Sequence, residues 1–257
     1  MISKILFIGY GQITRAILKG MQSALVGQSV SIVGKDPSKI APFLKQEGLD
    51  FINLKACDKS IDVTGSVVFL TLKPRALSAF TYTGQATAVL SALAGVSLEI
   101  LQAHLQAPHF VRFMPNVAAF LGLSATTYFS PTAAPKELID LLASFGTAVQ
   151  VDKEELVDAS MVTNGSTLAF LSLFTQALID SGVRAGLKYT QAKELITQSF
   201  KGFSALLATK SPQEISQTIC TPAGATIEGL SVLEEKGVRG AIMQACHATA
   251  QRYKPKS

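Results

Sequence analysis

The sequence predicts an α/β fold continued by an all-helical domain, and three observations carry that reading. Apolar strand-like runs alternate with helical patterns as far as Val151, the signature of a parallel sheet with helices on both faces. The first strand enters the first helix through a Gly-x-Gly turn. From Glu154 to Arg252 the pattern is helical almost throughout. The expected domains are 1–152 and 153–257.

The elements follow in order. Ile5-Leu6-Phe7-Ile8 reads as a buried strand, and from Gln12 the residues Ile13, Ala16, Ile17 and Gly20 fall on one helical face. Between them Gly9 and Gly11 support a tight turn. Without a Cβ the backbone can approach a pyrophosphate, and the helix start offers free N–H groups with partial positive charge. Thr14 holds the third glycine position, so the fingerprint is incomplete, and a plain strand-to-helix corner is the alternative. In this context dinucleotide binding is the favoured reading of the N-terminal part. A second strand covers 29–33, and a helix runs from Pro37 to about Glu47. Residues 66–74 form a third buried strand ended by a proline. A strand near Ala88 precedes a helix that Ser97 could cap. HFVRFMPN and SATTYFS are two further strands, PKELIDLLASFG is a helix stopped by Gly146, and TAVQV is the last strand. The helical domain is apolar on more than one face, above all from Leu168 to Ile179. Such a helix must be surrounded, and another subunit is the expected cover.

Composition narrows the function. The chain is 48% hydrophobic and 16% charged, yet no run approaches the ~20 uninterrupted apolar residues of a membrane span. The N-terminal run is too short for a signal peptide and lacks a cleavage site. The net charge of +5 is spread along the chain apart from a basic tail at 252–256, with no basic element interleaved with aromatics. Nucleic acid and membrane are therefore not expected partners. Cys57, Cys220 and Cys246 have no disulfide or zinc spacing, and His104, His109 and His247 form no ligand pair. The expectation is a cytoplasmic, metal-free homo-oligomer.

Four segments carry candidate chemistry. At the end of the second strand Gly34 and Lys35 stand where NAD-preferring folds place a carboxylate, which favours NADPH with NADH as the alternative. Asp36 leaves that choice open, as does the reading of GKDPSK as a solvated turn. Lys73-Pro74 ends a strand at the edge where open α/β sheets bind ligands. Asn116, after another strand, could bond a nicotinamide or order the floor of a site. Thr221-Pro222-Ala223-Gly224-Ala225-Thr226 is a small-residue loop opening a helix, suited to a carboxylate, with an ordinary capped helix start as the alternative. Cys220 and His247 receive no role.

In register, FIGYGQITRAI, VVFLTLKP, VLSALAGVSLEIL, VRFMPNVAAFLG, DSGVRAGL and TPAGATIEGLSVLEEKGVRGAI resemble the pyrroline-5-carboxylate reductase family over nearly the whole chain. The resemblance implies a Rossmann domain, an interlocking helical dimerisation domain, and a site completed across a homodimer or higher homo-oligomer. It implies NAD(P)H-dependent reduction of 1-pyrroline-5-carboxylate to L-proline, the last step of proline biosynthesis. By that resemblance Gly9, Gly11, Gln12 and Ile13 hold the cofactor phosphates, and Lys35 lies beside the adenosine ribose. Leu72, Lys73 and Pro74 line the nicotinamide side, and Asn116 sits near the nicotinamide. Thr221, Gly224, Ala225 and Thr226 bind the pyrroline carboxylate and ring nitrogen, with Thr226 the donor to nitrogen. Three departures stand out. The family's Thr-x-x-Ser-Gly-Ser-Gly-Pro-Ala-Tyr becomes Met161-Val162-Thr163-Asn164-Gly165-Ser166-Thr167-Leu168-Ala169-Phe170, Ser-Pro-Gly-Gly becomes Thr-Pro-Ala-Gly, and Asp58 replaces a frequent asparagine. These keep open a different cyclic imine acid as substrate, or a nucleotide-binding paralogue without turnover.

Overall fold

In the computed structural model, which describes residues 2–252, the first apolar run forms β1 (Lys4–Ile8), an interior strand of an eight-stranded sheet. Its residues alternate between two cores. Ile5 and Phe7 pack on one face and Leu6 and Ile8 on the other, which is why the strand is apolar at every position. The chain then forms β2 (Ser29–Gly34), β3 (Asn53–Ala56), β4 (Ser60–Asp62), β5 (Val67–Leu70), β6 (Thr81–Thr83), β7 (Ala88–Ser91), β8 (Phe110–Met114), β9 (Ser124–Phe129) and β10 (Gly146–Gln150). Strand order in the main sheet is β10-β9-β8-β7-β5-β1-β2-β3, while β4 and β6 make a separate parallel pair. Chain order reverses beside β1, which has β2 on one side and β5 on the other. That reversal opens a crevice at the strands' carboxyl ends.

The helices among the strands are α1 (Gln12–Gly20), α2 (Gln22–Leu25), α3 (Ala41–Gln46), α4 (Leu98–His104), α5 (Lys136–Ala143) and α6 (Glu155–Ala159). Ser97 caps α4 as expected, its hydroxyl accepting from the Ile100 amide at 3.3 Å. Phe7 stacks on Phe69 at 4.7 Å between centroids, and Phe69 meets Phe113 edge-on at 6.0 Å, tying three strands of the core together. Two strands depart from the all-parallel expectation: β9 runs antiparallel to β8, and β10 pairs parallel with β9. The link between β8 and β9 holds only a 3₁₀ turn, Val117–Leu121, and a parallel return needs a dozen or more residues.

The helical part comprises α7 (Thr167–Arg184), α8 (Tyr189–Leu207), α9 (Pro212–Ile219), α10 (Ala225–Glu235) and α11 (Val238–Arg252). The chain forms two compact units, one built on the residues up to Gly165 and the other on Ser166–Thr249. The segment 153–165, expected with the helical domain, therefore packs with the sheet. Its anchors are Glu154 and Asp158, which hold Arg112, and Asn164, which bonds the Met114 carbonyl. Within α7 only Ile179 is buried, while Leu171, Leu173, Phe174 and Leu178 are exposed. By length and average composition alone the stretch Glu155–Arg184 would suffice to cross a membrane, although it holds no uninterrupted apolar run of the expected length. Scattered serines and threonines leave its average apolar, and the stretch is broken by the turn at 163–166. The basic tail beyond Arg252 lies outside the described residues.

Candidate functional site

At the carboxyl ends of β1, β2 and β5 lies a cleft of about 520 Å³. It is lined by Gly9, Tyr10 and Gly11 from the first turn, by Gly34 and Lys35 after β2, and by Thr71, Leu72, Lys73 and Arg75 after β5. Gly9 has φ +120°, and a Cβ there would stand 2.6 Å from the Leu72 amide nitrogen. Only glycine lets the two strand ends come so close. Gly11 caps α1 without any side-chain hydrogen bond, and nothing lies within 4 Å of where its Cβ would be. This is a cradle for an anion: an open helix start reached past two glycines. Lys35, Lys73 and Arg75 line the cleft, and no aspartate or glutamate does among the described residues. These residues fit a dinucleotide.

The missing third glycine has a structural answer. Thr14 is fully buried, and its hydroxyl donates to the Thr71 hydroxyl at 2.9 Å, so helix and strand meet through a satisfied polar pair. Asp36 is engaged locally. Its carboxylate accepts from the Ser38 hydroxyl and pairs with Lys39 at 3.2 Å, and the Ser38 hydroxyl and then Lys39 hold its pKa below the usual value. Asp58 does not line the cleft.

Gly9, Gly11, Lys35, Leu72 and Lys73 thus share one cleft. Ile13 packs against the core, Pro74 opens the 3₁₀ turn after β5, and Gln12 lines a separate cavity with Arg15 and Phe43. Asn116 is buried beyond β8 with both ends of its amide used. Its Oδ1 accepts from the Ala118 amide at 3.0 Å, and its Nδ2 donates to the Asn164 carbonyl at 3.1 Å. Asn164 in turn donates from Nδ2 to the Met114 carbonyl at 2.8 Å. These bonds order local backbone, the second of its two expected uses, and leave one N–H of Nδ2 for the first. Sequence reasoning passed over Tyr10, Thr71, Arg75 and Phe80 in the cleft. Arg75 had a legible signal, a cation directly after Lys73-Pro74 at a strand end.

In the helical unit, Thr221, Gly224, Ala225 and Thr226 meet at the start of α10. The Gly224 amide donates to the Thr221 carbonyl at 3.0 Å, closing a tight turn in which a Cβ on Gly224 would collide with the Thr221 hydroxyl. Ala223 has φ 56° and is the one non-glycine with positive φ among the described residues. Gly224 caps α10 without a side-chain bond, and Thr226, second in the helix, is exposed. Backbone amides and two hydroxyls are therefore gathered at a helix start.

A glycine turn into a helix, a cleft rimmed by cations and a trailing set of apolar helices define a class: a Rossmann-like dinucleotide oxidoreductase with a helical association module. Family models agree. The model described as NADP oxidoreductase coenzyme F420-dependent matches residues 4–95, and the one described as pyrroline-5-carboxylate reductase dimerisation matches 154–256. The chain is 45% identical to the pyrroline-5-carboxylate reductase of Helicobacter pylori strain J99 over 252 residues, covering 96% of this chain and 98% of that one. It is 31% identical to the pyrroline-5-carboxylate reductase of Corynebacterium melassecola, covering 95% of each. The solved 1-pyrroline-5-carboxylate reductase of Streptococcus pyogenes superposes with a TM-score of 0.81 at 26% identity, covering 98% of both chains. The chain belongs to the pyrroline-5-carboxylate reductase family.

Proposed function

We propose that this protein reduces 1-pyrroline-5-carboxylate to L-proline with NADPH, as the last step of proline biosynthesis. The observation that carries the reading is the cleft at the β1–α1 turn. It joins an uncapped helix start and close-approach glycines to three cations without a carboxylate, in a chain of this family. NADPH supplies a hydride to the imine carbon.

The chain's own residues bind and orient. Gly9 and Gly11 leave the backbone open to the pyrophosphate, with the first amides of α1, those of Gln12 and Ile13, as donors. Lys35 serves the adenosine ribose end, and Leu72, Lys73 and Pro74 line the nicotinamide side. Asn116, held by the Ala118 amide and the Asn164 carbonyl, keeps one N–H of its Nδ2 for the nicotinamide side. At the start of α10, the amides of Gly224 and Ala225 with the Thr221 hydroxyl hold the substrate carboxylate, favoured by the helix dipole. The Thr226 hydroxyl donates to the ring nitrogen, which ends the reaction as an amine. A protonated imine is already electrophilic, so positioning and one donor suffice.

The working state is a homodimer or a higher homo-oligomer, supported by the dimerisation-family match over 154–256 and by the leucines and phenylalanines that α7 leaves exposed. Its place is the cytoplasm, with which the free thiols of Cys57, Cys220 and Cys246 agree. No nucleic-acid or membrane partner is proposed.

The test is oxidation of NADPH and of NADH by the purified protein with pyrroline-5-carboxylate, with proline identified as product. Proline formed faster with NADPH is the expected result. Turnover of a different cyclic imine acid would transfer the reading to that substrate. NADPH binding with no turnover of either would make the chain a non-catalytic relative.

A further inference from the structure

We propose that Tyr10 donates a hydrogen bond to the 2′-phosphate of NADPH and, with Lys35 and Arg75, forms the part of the cleft that distinguishes NADPH from NADH. The inference rests on the NADPH reading above and adds a residue that the family resemblance assigns no role.

Tyr10 stands between the two glycines of the turn. Its ring lies over Gly34 at the end of β2, where a Cβ would stand 2.5 Å from the ring's Cε1. Gly34 is thus bare because the ring occupies its side-chain space. The phenol oxygen accepts from the Asp36 backbone amide at 3.3 Å. A phenol has one proton to give and lone pairs to receive. With the amide bonded to a lone pair, the proton remains to be given to an acceptor on the cleft side. Tyr10, Gly34, Lys35 and Arg75 all line that cleft. The carboxylate that would repel an anion here, that of Asp36, is bonded to Ser38 and paired with Lys39.

In a sheet of this topology the adenosine ribose is bound at the end of the second strand. An NAD-type site places a carboxylate there to accept from the 2′-hydroxyl. This chain places a hydroxyl donor and two cations, and lets the Asp36 amide hold the phenol. That set matches a phosphate monoester dianion, whose oxygens only accept, and charge-assisted bonds to it are the strong kind. A bare 2′-hydroxyl carries no charge for the two cations, so the same set holds it more weakly.

The experiment titrates the full chain by calorimetry with adenosine 2′,5′-bisphosphate and with 5′-AMP, before and after Tyr10→Phe. The variant keeps the ring over Gly34 and loses only the hydroxyl. The expected result is bisphosphate affinity weakened about ten- to a hundredfold, the size of one hydrogen bond to a charged group, with 5′-AMP affinity changed less than about twofold. The KM ratio of NADPH to NADH moves in the same sense. Arg75→Gln, which leaves the turn untouched, also weakens the bisphosphate selectively. Equal weakening of both probes would reduce Tyr10 to a structural part of the turn and overturn the inference, as would no change in either. If the unmodified chain binds the two probes alike and uses NADH as well as NADPH, the NADPH reading fails and takes the inference with it. If it discriminates and Tyr10→Phe discriminates as well, only the role of Tyr10 is lost.

Discussion

Ala223→Gly is the substitution with the most to say about how this chain departs from its family. Ala223 sits at φ 56° in the turn before α10, a conformation in which an L-residue's Cβ crowds the following carbonyl at a cost of about 1–2 kcal/mol. Glycine removes that cost but gains freedom in the unfolded chain, which returns about 0.4–1 kcal/mol. The net expectation is stabilisation by roughly 0.5–1 kcal/mol. For a chain of this size, that amounts to a rise of about 1–4 °C in the unfolding midpoint. The assay is thermal unfolding of both proteins at one matched concentration, since association shifts the midpoint as well. Ala223→Val supplies the opposite sign, because a β-branched side chain is an outlier at positive φ. Removing the methyl also clears the approach to the Gly224 and Ala225 amides, so KM for pyrroline-5-carboxylate falls or holds. A lower midpoint for Ala223→Gly would refute the reasoning, since it would mean the methyl packs well enough to outweigh its strain.

Three further predictions follow from particular contacts. Arg112 is 3% exposed and reaches Glu154 at 3.2 Å and Asp158 at 2.7 Å. Those carboxylates also accept from the Leu98 and Gly95 amides, so Arg112→Met leaves them partly satisfied, and the loss falls at the low end of the buried-pair range, about 3 kcal/mol by urea denaturation. A loss below about 1 kcal/mol would show that the fork contributes little. The Ser211 amide, and with it the Ser211 hydroxyl, holds the pKa of Glu214 below the usual carboxylate value. Its capping of α9 is therefore complete above the ordinary glutamate pKa and is lost as pH falls through the lowered value. Amide exchange over 211–215, corrected for intrinsic rates, speeds up on acidification, and a protection profile flat to acid contradicts the cap. Thr226→Ala lowers kcat for proline formation by about a hundredfold if its hydroxyl serves the ring nitrogen, and unchanged turnover would remove Thr226 from the mechanism.

What the sequence made legible was local. The β1–α1 turn could be read because a short apolar run, two glycines and a helical period sit side by side, and the Ser97 cap because its acceptor and donor are three residues apart. The antiparallel β9 was less accessible, since SATTYFS reads as a strand in either direction and only the short link from β8 decides. β3 is mostly exposed and lacks an apolar period, and β4 and β6 have three residues each. Helix α9 was overlooked although Ser211-Pro212-Gln213-Glu214 carries a capping box with proline at the first turn, a signal that was present. The fork of Arg112 was beyond reach. Its partners lie 42 and 46 residues away, and nothing local distinguishes a buried arginine in a strand from an edge one. In the candidate site, residue types at strand ends could be placed, whereas Tyr10 over Gly34 required the turn to be folded.

The two units differ in a way that bears on how the protein acts at all. The sheet unit buries a dense core on both faces, including Phe7, Phe69, Phe113 and Phe145. Across Ser166–Thr249 the buried apolar residues are Ile179, Ala192 and Ile215. Two isoleucines and an alanine are too small a core to offset the conformational entropy of ordering such a span. The leucines and phenylalanines of α7 and α8 that would make up the difference are exposed in the single chain, among them Leu173, Leu178, Leu195 and Phe203. In the homodimer proposed above, a second copy supplies the missing burial. On that proposal, folding of the helical unit and pairing of chains become one equilibrium, and the Thr221–Thr226 turn, which belongs to that unit, is populated in step with the pair. Activity per chain should accordingly fall on dilution below the dimer dissociation constant, together with the helical signal. A site confined to the sheet unit would keep its activity while the helical signal fell.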